Sequence, residues 1–327
     1  MKILSPIDKP EEVSALADAG ADELYGGYVS PEWRNRYSLL ASANHRYFAN
    51  AQIAGKKELA SIINGAHRRG MKFCLTLNAP YYTQEQYDFL LMEAERLLEA
   101  GVDAFIVSDL GLILRFRERL PEASIHLSTL STVFNSKGAA MFGSLGVRRI
   151  VFPRELTLGE MKGIVRANPG AQFDAFVMIG RCPNIEGFCT FTHNSPDLIW
   201  PCEEKYKIKA ASDNLSVIPV STHASRGYPA GIQTLNIIEA QSAWGRVNRR
   251  QACGLCAVGG LRDAGVSALK LVGRGGPTKM KVAVLKAVKD ALLIKDAGEL
   301  REFGKRRYVE LFGQPCSPQV CYYPELF

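Results

Sequence analysis

No apolar run in this chain approaches the ~18 residues of a membrane-spanning helix. The opening MKILSPIDKP has neither the apolar core nor the small-residue cleavage site of a secretory leader. No membrane partner and a cytoplasmic setting are therefore expected. Histidine is scarce, five in 327 residues, and no Ser-His-Asp or Cys-His set stands out. His126, His193 and His223 alone occupy plausible loop or strand-end positions. After the first strand the glycine-rich phosphate loop of an open doubly wound sheet is missing, and Ser5-Pro6-Ile7-Asp8 stands in its place. Charge of one sign is not concentrated either: the net +7 is spread thinly. Two basic clusters, RVNRR at 246–250 and KRR at 305–307, read either as solvated helix faces or as a surface for an anionic ligand or RNA.

What is present is a repeated pattern of amphipathic helix, glycine and short apolar strand. EEVSALADAG leads into ADELYGGY, and QYDFLLMEAERLLEAG leads into VDAFIVSD. The glycine suits a left-handed helix cap, and strands apolar throughout suit a sheet covered on both faces. Eight strands are expected, at 3–7, 22–27, 72–78, 104–109, 124–129, 148–153, 173–179 and 268–274. Alternating with helices over this length, they predict an α/β fold, a (β/α)8 TIM-like barrel. An open sheet is the alternative. The barrel domain is expected over 1–313, with a cysteine-rich insertion between strands seven and eight at 180–264. Two C-terminal helices at 278–296 and 298–312 precede a tail at 314–327.

The insertion opens with RCPNIEGFCTFTHNSPDLIWPC. Three of the chain's eight cysteines fall in this irregular stretch, directly after strand seven, where barrel enzymes place their chemistry. In a reducing compartment clustered cysteines argue for metal ligation or catalysis over disulfides. The spacing Cys182-x6-Cys189-x12-Cys202 differs from the tight pairs of zinc ribbons and the C-x2-C-x2-C run of ferredoxins. Loose loops giving one thiolate each still suit an iron–sulfur cluster, and Cys253-x2-Cys256 offers further ligands. Cys74, inside strand three, reads as a small core residue. Cys316 and Cys321, with Pro318 between them, form a C-x4-C pair of open role.

The stretch FDAFVMIGRCPNIEGFCTFT resembles the signature of the collagenase-like peptidases, family U32, on Asp174, Phe176, Cys182, Gly187, Cys189 and Thr192. IHLSTLSTVFNS, GVRRIVFPRELTLGEM and CGLCAVGGLRDAGVSALKLVGRG resemble further segments of that family, and the likeness covers roughly residues 1–290. Asp174 stands where the family has Glu, Val272 replaces a Glu of the last strand, and Ile179, Gly180 and Arg181 replace small and apolar residues. The resemblance implies either a peptidase or an oxygen-independent hydroxylase of tRNA, ribosomal RNA or a ubiquinone precursor. The hydroxylases carry a 4Fe–4S cluster and can use prephenate as oxygen source. Carried over by position, the cluster ligands are Cys182, Cys189, Cys202 and Cys253, with Cys256 as alternate. Cys253 is favoured because it precedes Gly265 by twelve residues, as the family's fourth cysteine precedes its matching glycine. An anionic small molecule or RNA substrate is expected, as is a sister family subunit in a heterodimer. The catalytic shell is expected at strand ends: Arg274, Arg154, Glu155, Asp109 and Asn78, with Ser108, Ser128 and Arg181. Peptidase activity, or an RNA-binding or partner-holding barrel with a structural cluster, are the alternatives.

Overall fold

The computed structural model describes residues 1–37, 42–46, 48–182, 184–189 and 251–327. Cys202, His193, His223, Thr192 and the basic cluster at 246–250 lie outside the described residues. Eight parallel strands close into a barrel in chain order. They are β1 (Lys2–Pro6), β2 (Glu23–Gly26), β3 (Lys72–Leu77), β4 (Ala104–Val107), β5 (Ile125–Leu127), β6 (Arg149–Val151), β7 (Gln172–Met178) and β8 (Ala268–Leu271). β1 pairs with β8 through Lys2–Ala268 to Leu4–Lys270, which closes the ring. All eight expected strands are present, each trimmed or shifted at an end where the chain turns out of the ladder.

The connecting helices are α1 (Glu12–Asp18), α2 (Pro31–Arg36), α3 (Lys56–Arg68), α4 (Gln84–Glu99), α5 (Leu110–Arg119), α6 (Ser136–Ser144), α7 (Leu158–Ala167) and α8 (Val258–Asp263). α9 (Thr278–Leu293) and α10 (Ala297–Phe312) follow β8. Their starts are chemically marked. At α7 the Thr157 hydroxyl accepts from the Glu160 amide and the Glu160 carboxylate accepts from the Thr157 amide, a reciprocal capping box. Phe73, Phe105, Phe116, Phe152 and Phe173 are fully buried and form the layer between strands and helices. Among the described residues no helix is long and apolar enough to cross a membrane.

The barrel interior departs from the expectation of apolar strands. Alternate residues turn inward, and on several strands these are charged. Arg149 donates to both carboxylate oxygens of Asp174 (2.8 and 3.0 Å) and to Glu23 (2.5 Å), all three buried. Burial alone would lower the Arg149 pKa, but the two carboxylates outweigh it and hold the guanidinium firmly protonated. Lys270 lies over the Tyr25 ring at 4.5 Å, and burial draws its ammonium down to about 8. The KRR cluster at 305–307 on α10 is a salt-bridged helix face. Lys305 pairs with Glu302 (2.9 Å) and Arg307 with Glu310 (2.7 Å).

The tail packs onto the barrel at β7. Cys253 donates its amide to the Val320 carbonyl (2.9 Å), and the Tyr322 amide donates to the Cys253 carbonyl (2.8 Å). The Tyr323 hydroxyl donates to the Phe176 carbonyl (2.8 Å), and the Tyr322 ring stacks on Phe176 at 6.4 Å.

Candidate active site

The C-terminal ends of β2, β3, β6, β7 and β8 converge on a basic mouth. Arg274 follows β8 and donates to the Thr76 hydroxyl (2.8 Å) and to the Asn44 carbonyl (3.1 Å). Its guanidinium lies against Gly27, where any Cβ would collide with it, so glycine is what admits the arginine there. Arg274 forms no ion pair with Asp109 or Glu155. Among the described residues Arg274 pairs with no carboxylate; it meets only neutral acceptors, and burial lowers its pKa. Arg46 stands close by. Burial first, then the charges of Arg274 and Arg154, draw its pKa down to about 10, with the Cys182 thiol among the groups acting to raise it.

Arg154 closes another side. It forms a buried ion pair with Glu186, each side chain 8 % exposed, and its guanidinium sits 3.9 Å from the Phe176 ring centre. Glu186 also accepts from the Thr129 hydroxyl (2.6 Å), which ties the cysteine loop to the end of β5. Glu155, next in sequence, is exposed on the rim.

The remaining expected residues fall into two kinds. Asp109 caps α5, accepting from the Leu112 amide (2.7 Å) and the Tyr87 hydroxyl (2.9 Å). Its carboxylate is engaged structurally. Asn78 donates to the Ser128 hydroxyl at 3.4 Å, while its buried Oδ1 has no hydrogen-bond partner among the described residues. Ser108 donates to the Ala79 carbonyl (2.6 Å), and Arg181 to the Gln319 carbonyl of the tail (3.2 Å).

The signature residues now have physical roles. Asp174 neutralises Arg149 inside the barrel, and Phe176 is the platform under Arg154. The chain then leaves β7 through Ile179 and Gly180, both at positive φ (60° and 70°), which lifts the loop over the mouth. Gly187 has φ 81°, and a Cβ there would stand 2.5 Å from the Leu130 carbonyl oxygen, so the loop lies flat on the turn after β5. Cys182 and Cys189 are carried by this loop, partly buried and in no disulfide. Cys253 lies elsewhere. It lines a cavity of about 200 Å³ with Cys256, Cys316 and Cys321, which neither Cys182 nor Cys189 reaches.

His126 is not at the mouth. It is buried in the lower barrel, its Nδ1 3.9 Å from the Cys74 sulfur. Burial, then the charges of Arg149 and Lys270, hold its pKa well below the usual value. The Cys74 thiol is itself pushed up to about 12 by burial. A protonated thiol beside a neutral imidazole, at the opposite end of the barrel from the mouth, is not an activated nucleophile.

Arg46, Glu186, Thr76 and Tyr322 are mouth residues that sequence reasoning missed. Glu186 sits inside the quoted cysteine loop, four residues beyond Cys182, and an acidic residue in that loop was the available signal. The others carry no local signal.

A sequence profile of Peptidase family U32 matches residues 8–311. The chain is 30 % identical over 188 residues to the tRNA hydroxylation protein P of Escherichia coli (strain K12), covering 58 % of this chain and 38 % of that one. It is 28 % identical over 229 residues to the 23S rRNA 5-hydroxycytidine C2501 synthase of the same organism, covering 67 % and 30 %. The chain thus spans about two fifths or less of these relatives' length. Among solved structures, a U32 peptidase aligns with a TM-score of 0.42 at 14 % identity, over 54 % of this chain and 69 % of the other. A profile match over nearly the whole chain, on a barrel whose mouth is built by the signature residues themselves, leads to one conclusion: the chain belongs to peptidase family U32.

Proposed function

We propose that the chain is an oxygen-independent hydroxylase acting on RNA, with an anionic oxygen donor held at the barrel mouth and a 4Fe–4S cluster on the cysteine loop. The observation that carries this reading is Arg274, a half-buried guanidinium that among the described residues meets only neutral acceptors, grouped with Arg46 and Arg154 beside Cys182. Three arginines gathered in partly buried surroundings favour an anionic guest. The planar guanidinium fork binds a carboxylate through two parallel hydrogen bonds. Prephenate, or another carboxylate bearing a transferable hydroxyl, fits that chemistry. The names of the relatives supply the substrate class, a nucleobase in tRNA or ribosomal RNA.

Cys182, Cys189 and Cys202 would supply thiolates to the cluster, and position assigns the fourth place to Cys253. The loop thiols fit the group: two of them sit partly buried, undisulfided, over a basic mouth that balances the cluster's negative charge. Cys253 fits less well, because its thiol lines the tail cavity. When bound, the cluster would supply redox chemistry and an iron Lewis acid. The chain's own residues bind and orient the donor through Arg274, keep Arg154 against Phe176 through Glu186, and cover the mouth with Tyr322. Anaerobic purification tests the reading. About four irons and four sulfides per chain are expected for one such cluster, and a chain that takes up zinc but no iron after anaerobic reconstitution overturns it.

A peptidase reading has no comparable support. The described histidine–thiol contact, His126 with Cys74, joins a thiol that burial keeps protonated to an imidazole that burial keeps neutral.

A further inference from the structure

We propose that the N-terminal end of the barrel, opposite the mouth, is a second ligand site that holds the phosphate group of a small molecule. This goes beyond the hydroxylase reading and stands without it.

An open cavity of about 350 Å³ enters the barrel at this end. Its wall is built from the first residues of the strands: Lys2 opens β1, Glu23 opens β2, Lys72 opens β3 and Arg149 opens β6. Lys2, Lys72, Arg148 and Arg149 set four cations on the wall against two carboxylates, Glu23 and Asp103. Both carboxylates already have donors. Glu23 pairs with Lys2 (2.8 Å) and with Arg149. Asp103 accepts from the Phe73 amide (2.8 Å) and meets His67 Nε2 (2.8 Å). Lys72 and Arg148 are exposed at the rim and, among the described residues, pair with no carboxylate. The wall therefore keeps an excess of positive charge, and a concave protein surface concentrates such a field.

Two buried side chains on the same wall have donor capacity to spare. Arg149 is 4 % exposed, and its Nε and Nη1 are taken by Asp174 and Glu23. Its Nη2 has no hydrogen-bond partner among the described residues. His126 is 9 % exposed, and its Nδ1 stands 3.9 Å from the Cys74 sulfur. Burial keeps that thiol protonated, so the thiol is the donor and the ring's own hydrogen belongs on Nε2. After burial, the charges that act most on the ring are all cations: Arg149, Lys270, Lys72 and Lys2. A buried donor without an acceptor carries its full desolvation cost. An oxyanion is the acceptor that this wall lacks.

The arrangement of donors selects phosphate. Lys72, His126, Arg148 and Arg149 stand on different strands or their approaches, around one cavity. A phosphate group spreads its acceptor oxygens in three dimensions and meets such a set at once, whereas a carboxylate presents two oxygens in one plane. Lysine and arginine both serve as phosphate donors. The cavity also has the size of a small-molecule pocket, so the phosphate can carry an organic remainder. Barrel enzymes place their chemistry at the other end, which makes this occupant a stabilising ligand and not a substrate.

The test is calorimetric titration of the anaerobically purified full-length chain, in a phosphate-free buffer, with inorganic phosphate and separately with ribose 5-phosphate. Saturable binding of one equivalent is expected, together with a rise in melting temperature as ligand is added. Arg274→Ala should bind equally well, because the mouth is not involved. Lys72→Gln/Arg148→Gln should bind roughly tenfold more weakly, as expected for two partly screened contacts. Tighter binding of ribose 5-phosphate would support a phosphomonoester as the occupant, and tighter binding of inorganic phosphate would support the free ion. The ring signals of His126 in the wild-type NMR spectrum, identified by their loss in His126→Gln, should shift at saturation. They decide the matter should the double variant fail to fold. No saturable binding, full affinity in a folded double variant, loss of binding in Arg274→Ala, or His126 signals unmoved at saturating phosphate would each overturn the proposal.

Discussion

Replacing Arg274 by alanine should abolish donor binding while leaving the barrel folded. Two hydrogen bonds are lost, to Thr76 and to the Asn44 carbonyl, at about 1 kcal/mol each. Against that, a desolvated charge disappears from beside Arg46, whose pKa is drawn to about 10 partly by Arg274. The two effects oppose, so the change in unfolding free energy should stay within about 1–2 kcal/mol. Thr76 retains its bond to the Gly26 carbonyl (2.9 Å). Binding is different, because the lost group is one end of a buried charge-assisted contact, typically ~2–5 kcal/mol. That corresponds to a roughly thirty-fold to several-thousand-fold weaker Kd. Calorimetric titration of a hydroxylated dicarboxylate into wild type and variant measures it, with thermal melts in parallel. Arg274→Lys should recover only part of the affinity, since an ammonium cannot donate two parallel bonds to one carboxylate. A variant that melts much earlier while its folded fraction binds the dicarboxylate normally would show that Arg274 merely closes the rim, and the reasoning would fail.

Glu186→Gln strands Arg154 in a buried site, so stability should fall by about 3–5 kcal/mol; the freed guanidinium should at the same time tighten anion binding, and urea titration with calorimetry reads both signs. Glu23 is buried, which would raise its pKa, but Arg149 and Lys2 outweigh burial and hold it below its ordinary 4.5. Its stabilisation is therefore present above about pH 4.5 and lost as pH falls through the lower folded value. Glu23→Gln should be less stable than wild type at neutral pH, and the gap should close on acidification; a gap that widens in acid would refute this assignment. Gly187→Ala must place a Cβ against the Leu130 carbonyl at a positive φ, at ~1–3 kcal/mol of local strain. It should reduce iron retention with little change in the barrel's melting temperature.

The strands were readable because a covered parallel sheet writes itself as short apolar runs between helices, and runs such as AFIVSD and FDAFVMI carry that signal locally. The charged barrel interior was harder to read. Glu23, Arg149, Asp174 and Lys270 alternate with apolar neighbours, and only ring closure turns them toward one another. At the mouth, the positions of Arg154, Arg274, Cys182 and Cys189 beyond the strand ends were legible in the sequence. Their partners were not. Arg154 meets Glu186 across a loop and Tyr322 from the far end of the chain, 168 residues away. Arg46 lies in a connection before α3 that has no periodicity to mark it. The tail pair Cys316 and Cys321 was visible as a spacing, but its company with Cys253 and Cys256 depends on a backbone bridge that no local pattern encodes.

Nucleoside mass spectrometry of tRNA and ribosomal RNA tests the central claim most directly. RNA from anaerobically grown cells that contain the gene, compared with cells that lack it, should show one nucleoside heavier by a single oxygen atom, lost with the gene and lost again in cells carrying only Arg274→Ala. Identical nucleoside profiles in all three strains, together with cleavage of a peptide substrate by the purified chain, would contradict the hydroxylase account.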